Sequence, residues 1–125
     1  MTDRVTPIPV GIPRLKKRPE FLKVAATRKK WVAAGLILQV RRHRDSESGL
    51  ATSRVGFTVS RKVGNAVRRN RVRRRLRAAA DLIMGEHVSS GHDFVIIGRQ
   101  GTIKRSFPDI LSDLETALKK MGAYR

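Results

Sequence analysis

Apolar and polar positions along the chain fall into distinct periods. Between Pro19 and Lys29, Phe21, Val24, Ala25 and Arg28 share one side of a short helix, with proline in its first turn. From Trp31 to Arg42 the period shortens to two, with Leu36, Leu38 and Val40 alternating with Ile37, Gln39 and Arg41, an extended segment. His43 to Ser53 is polar with a central glycine and predicts a hairpin loop. Arg54 to Ser60 predicts a second strand, with Val55, Phe57 and Val59 on one face and the small Gly56, Thr58 and Ser60 on the other. That small face lets a backbone or a ligand approach closely. A helical stripe of Val72, Leu76, Ala79, Ala80 and Ile83 follows, with Asn65 as its entry cap and Gly85 as its stop, about four turns in all. His92 to Arg99 is a continuous apolar run, as in a central strand covered on both faces. Ser106 and Asp109 open a last helix carrying Phe107, Leu111, Leu114, Leu118 and Met121. Two strands joined through a helix predict a βαβ crossover. The fold expected is therefore α+β, a small sandwich of a mainly antiparallel sheet with helices. One domain spans residues 15–122 and follows a mobile, basic, Pro-rich segment at 1–14.

Charge changes this picture more than composition does. At 125 residues with 40% hydrophobic content the chain can bury a modest core, yet it carries a net charge of +18. Nine of the seventeen residues from Arg61 to Arg77 are basic, and no carboxylate occurs between Glu47 and Asp81. Solvated helix faces ordinarily alternate sign to gain i,i+4 pairs, whereas here arginine follows arginine, with Asn70, Arg73, Arg74 and Arg77 opposite the apolar stripe. Eight of the nine are arginine, whose planar donor fork suits phosphate and whose face stacks on bases. The partner expected is a nucleic acid. A basic helix that follows a strand, with few base-reading residues, favours RNA backbone and shape over the DNA major groove. Phe21 and Phe57 are the aromatic side chains that could serve as stacking platforms, with core packing the equal alternative.

Other chemistries lack support. There is no cysteine, which removes disulfides and thiolate metal sites, and that usage fits a reducing cytoplasm. No apolar run approaches the ~20 residues of a membrane span, and no membrane partner is expected. The three histidines, His43, His87 and His92, stand outside any catalytic motif and read as exposed loop residues, so no catalytic residue is assigned.

The string G-N-A-V-R-R-N-R-V-R-R-R-L-R, directly after S-R-V-G-F-T-V-S-R-K-V, closely resembles the bacterial ribonuclease P protein component. The R-N-R signature stands at Arg69, Asn70 and Arg71. The upstream R-L-K-K-R-P-E-F-L-K-V, the H-D-F-V-I-I-G-R strand and the closing helix are similar too, so the resemblance covers residues 14–121. It implies a left-handed βαβ crossover and a protein subunit of a ribonucleoprotein endoribonuclease. That subunit assists its catalytic RNA in removing the 5′ leader of precursor tRNA, with Mg2+ serving the RNA and no obligate protein partner. Carried over by position, Ser60, Arg61, Lys62, Asn65, Arg68, Arg69, Asn70, Arg71, Arg73, Arg74 and Arg77 would meet the RNA subunit. Phe21, Lys23, Arg28, Gln39 and Phe57 would form the leader cleft. Ala25 and Gln39 stand where many relatives have aromatic residues, which shifts leader binding toward charge and hydrogen bonding. A ribosomal or architectural RNA-binding protein is the rival reading.

Overall fold

The computed structural model describes residues 12–44 and 52–125. Among these described residues nine elements follow in order: α1 (Arg18–Ala26), β1 (Lys30–Val32), β2 (Leu36–Arg42), β3 (Arg54–Val59), a 3₁₀ turn (Arg61–Val63), α2 (Ala66–Ile83), β4 (His92–Gly98), α3 (Gln100–Lys104) and α4 (Phe107–Lys120). The α+β class stands. The four strands form one sheet in the order β1-β2-β4-β3, antiparallel except for the β3–β4 pair.

Register sorts the side chains into rows across the sheet. Leu38, Ile96 and Phe57 make one row, Val40, Phe94 and Val55 a second, and all six belong to the main core beneath α2 and α4. The alternate rows face the other way: Ile37 with Ile97 and Thr58, Gln39 with Val95 and Gly56, Arg41 with Asp93 and Arg54. On this second face Val24 of α1 and Leu15 pack on Val95, with Phe21 and Ile97 at the margin. An added Cβ at Gly56 would lie 2.4 Å from the Phe21 ring, so the small residue on β3 is what seats α1. The close approach expected over Gly56, by a backbone or a ligand, is made instead by the chain's own Phe21 side chain.

The predicted helix stripe holds: Val72, Leu76, Ala79, Ala80 and Ile83 are all buried. Asn65 caps α2 by accepting from the Arg68 amide at 3.0 Å, and Ser106 caps α4 by accepting from the Asp109 amide at 3.2 Å. The crossover expected between two parallel strands is β3–α2–β4.

Four expectations need correction. The extended segment from Trp31 is a hairpin, because Ala33, Ala34 and Gly35 let the chain turn back and Ala33 N–H donates to the Leu36 carbonyl at 2.8 Å. The connection after His43 is no hairpin loop, since β4 lies between β2 and β3. A strand apolar on both faces gains most from the centre of the sheet; residues 45–51 of that connection lie outside those described. The first helix stops at Ala26, three residues before Lys29, because Arg28 turns to φ 56°. The basic helix, Ala66–Ile83, has the expected entry cap but runs 18 residues, five turns rather than four, because the span from Asn65 to Gly85 is helical nearly throughout. The 3₁₀ turn and α3 carry no periodic signal at their lengths and were not foreseen. Residues 1–11 of the basic lead-in lie outside the described part, but Pro13 and Leu15 already bond the backbone of Val55 along the edge of β3.

Candidate RNA interface

The entry to α2 is built from its own backbone needs. Val63 is buried and anchors the turn that carries the exposed Ser60, Arg61 and Lys62. Gly64 then takes φ +148°, and a Cβ there would lie 2.7 Å from the Arg68 side chain, so glycine both permits the bend and admits the Arg68 stem. The first turn of α2 holds no acidic residue, and Arg68 and Arg69 follow at once. This reverses the usual preference for negative charge at a helix N-terminus and leaves the end short of an anion.

The candidates on α2 do not form one face. Arg68 and Arg71 lie on the flank toward α3, beside Ile103 and Lys104. Arg73 and Arg77 lie on the opposite flank, beside Phe21 and Phe57. Asn70 and Arg74 are exposed and Arg69 is half-buried. Asn70 Oδ1 accepts from Arg73 Nη1 at 2.9 Å, so the asparagine within the signature orients a guanidinium. Among the described residues no carboxylate pairs with any arginine from 61 to 77. The nearby ion pair Asp81–Arg14 draws on the far end of the helix and on the segment before α1. Arg75, excluded from the candidates, turns inward. Its Nε donates to the Thr102 carbonyl at 3.1 Å and its Nη2 to the Arg105 carbonyl, fastening α3 and the start of α4 to α2.

The five leader-cleft candidates separate. Gln39 is on the second sheet face, whereas Phe57 is one register row away on the core face, with Arg14 over its ring at 5.1 Å. Phe21 rests on Gly56 between these two. Lys23 points elsewhere, into a basic concavity of about 510 Å³ shared with Lys29, Arg41, Arg42 and Arg44. Arg28 is exposed at the end of α1. The cationic end of β2 was missed, although R-R-H-R closing a strand signals it in the sequence.

A second unforeseen feature crosses the sheet. Asp93 is 1% exposed and receives the Arg54 fork at 2.9 and 2.8 Å, with His43 Nε2 at 2.8 Å and Arg41 Nη1 at 3.6 Å. Arg54 also reaches Glu20 of α1 at 2.6 Å, and Glu20 accepts from the Lys16 and Lys17 amides. Burial alone would raise the Asp93 pKa, but the hydrogen bonds from Arg54 and His43 outweigh it and hold the carboxyl below its usual value. Glu20 is lowered as well, first by the Lys17 and Lys16 amides. The expectation that His43 is an exposed loop residue is therefore wrong, because a buried carboxylate draws its ring in to 5% exposure. His87 instead stacks on Tyr124 and His92 on Phe94, at 5.1 and 5.8 Å between ring centroids.

Among the described residues no group of three metal-ligating side chains converges, and no helix is long and apolar enough to cross a membrane. The arrangement offers cationic walls and grooves rather than an acid–base site.

Comparisons with known proteins agree with that geometry. The family described as Ribonuclease P matches residues 12–122. The chain is 52% identical over 112 residues to the ribonuclease P protein component of Paramagnetospirillum magneticum, covering 90% of this chain and 84% of that one. It is 50% identical over 109 residues to that of Gluconacetobacter diazotrophicus, covering 87% and 90%. The RNase P protein from Thermotoga maritima superposes with a TM-score of 0.70 at 29% identity, covering 86% of this chain and 96% of that one. The Staphylococcus aureus RNase P protein shares the fold at a TM-score of 0.74 and 24% identity, covering 90% and 97%. The chain belongs to the ribonuclease P protein family, as a protein subunit of the ribonucleoprotein endoribonuclease of tRNA processing.

Proposed function

We propose that α2 and the turn before it grip the catalytic RNA of ribonuclease P, and that the second sheet face with α1 holds the 5′ leader of precursor tRNA. The observation that carries the first part is the set of arginines from 61 to 77 without a carboxylate partner among the described residues. An external polyanion laid against them relieves their mutual repulsion. The second part is supported by the open row of Ile37, Ile97 and Thr58, each half-buried, and by the cations around Lys23 at the other end of α1. A strand laid there has apolar surface for bases and positive charge for phosphates.

In this reading the RNA performs the phosphodiester hydrolysis with its Mg2+ ions, and the protein works in the cytoplasm by binding. Displacing counterions from the RNA lowers the Mg2+ that the complex needs. Holding the leader separates precursor from product, since only the precursor carries that segment. A reconstitution tests this. Protein, cognate RNA subunit and precursor tRNA are combined at low Mg2+, beside protein-alone and RNA-alone controls. Cleavage that needs both components is expected, and Ala at Arg69, Arg71 and Arg73 together should weaken assembly with unchanged helical circular dichroism. Cleavage by the protein alone, or unaltered assembly of the triple variant, would overturn it.

A further inference from the structure

Beside the N-terminal half of α2 runs a groove of about 480 Å³ that none of the described residues fills. Its floor is apolar, from Val63 and Ile103, and its rim is cationic, from Arg68 and Arg71 on α2 and Lys104 on α3. The three rim residues are exposed, and no carboxylate among the described residues pairs with them. The two walls are held at a set separation. Arg75 fastens α3 to α2 through the Thr102 and Arg105 carbonyls, and Gln100 Nε2 donates to the Lys62 carbonyl at 2.9 Å across the end of the groove. Lys104 therefore stands in register with the arginines although it comes from another element and lies outside the basic run.

We infer that this groove is a nucleotide subsite for an unpaired stretch of the RNA subunit, with a base on Val63 and Ile103 and the flanking phosphates on Arg68, Arg71 and Lys104. Charge complementarity selects the occupant, since an apolar slot rimmed by three cations suits a base between two phosphates better than a peptide or a lipid chain. The RNA subunit rather than the leader is assigned because two rim residues belong to the helix that grips that RNA. To this extent the inference rests on the function proposed above. Lys104, Ile103 and Gln100 thereby join the binding surface, and α3 acts as the second jaw of a clamp whose first jaw is α2.

The chain has no cysteine, so Lys104→Cys provides a unique attachment point. The full-length variant is labelled with a photoactivatable azide, assembled with the RNA subunit and precursor tRNA, and irradiated. In parallel, the affinity of Lys104→Glu for the RNA subunit is measured across a salt series, beside Lys119→Glu on the far helix and the Arg69/Arg71/Arg73 triple variant. Cross-links confined to an unpaired segment of the RNA subunit are expected. So are a five- to tenfold loss of affinity for Lys104→Glu and a log–log salt slope shallower by about 0.7–1, the size of one phosphate contact. Lys119→Glu should stay within about twofold, and the lysine variants should keep the wild-type circular dichroism. Cross-links to the leader, or to base-paired RNA only, would overturn the assignment, as would wild-type affinity for Lys104→Glu. If that wild-type affinity accompanies a weakened triple variant, the groove alone fails. If the triple variant also binds normally, the function proposed for α2 fails with it.

Discussion

Asp93 draws in Arg41 of β2, Arg54 of β3 and His43 of the loop after β2, and its removal leaves those three facing one another. Asp93→Ala should lower stability by about 3 kcal/mol at neutral pH in urea titrations, the usual cost of deleting one partner of a buried pair. Because the folded state lowers the Asp93 pKa from 3.8, its contribution is complete above that value and fades as pH falls through the lower folded one. The gap between wild type and variant should accordingly close in strong acid. Arg28 provides the opposite case. Its φ of 56° sits where glycine is usual after a helix, at a cost of about 1–2 kcal/mol. Arg28→Gly recovers that strain but frees the unfolded chain by about 0.4–1 kcal/mol. A net gain of about 0.5–1 kcal/mol in thermal unfolding is expected, together with weaker leader binding if the arginine is retained there for its charge.

At the scale of elements, neighbouring arginines on α2 divide labour by the direction in which they point. Arg75→Ala should cost about 1–3 kcal/mol, by leaving the Thr102 and Arg105 carbonyls without their donor, and change the salt slope of RNA binding little. Arg74→Ala should leave the unfolding midpoint in place and make that slope shallower by about 0.7–0.9. Chemical denaturation and a filter-binding salt series on both proteins separate the roles. The sequence shows α2, α4 and β4 because their apolar positions repeat over several turns or fill an entire strand. It hides the β1–β2 turn, where Ala33 and Ala34 interrupt no apolar pattern, and it hides α3, which is too short to show a period. The candidate site divides in the same way. Arginine density marks α2, but whether an arginine points outward, as Arg74 does, or across to a backbone carbonyl, as Arg75 does, depends on α3 being packed alongside. Phe57 and Gln39 looked like neighbours in one cleft, and the register that puts them on opposite faces exists only once β4 enters between their strands.

On the scale of the whole molecule, a charge of +18 opposes compaction unless anions neutralise it. Sulfate or phosphate at millimolar concentration should raise the unfolding temperature more than chloride at equal ionic strength, as scanning calorimetry would show. If the eight basic candidates between 61 and 77 each meet a phosphate, the log–log salt slope for RNA binding should be roughly −6 to −7. Affinity would then fall roughly 10⁴-fold between 50 and 200 mM salt. The strand order carries a consequence for folding. Apart from the isolated Arg14–Val55 bridge, β3 pairs among the described residues only with β4, the last of the four strands in chain order. Until residues 92–98 are in place, the arginine helix has no completed sheet to fold against. Closure of β4 between β2 and β3 is then the step that fixes the basic helix over the sheet.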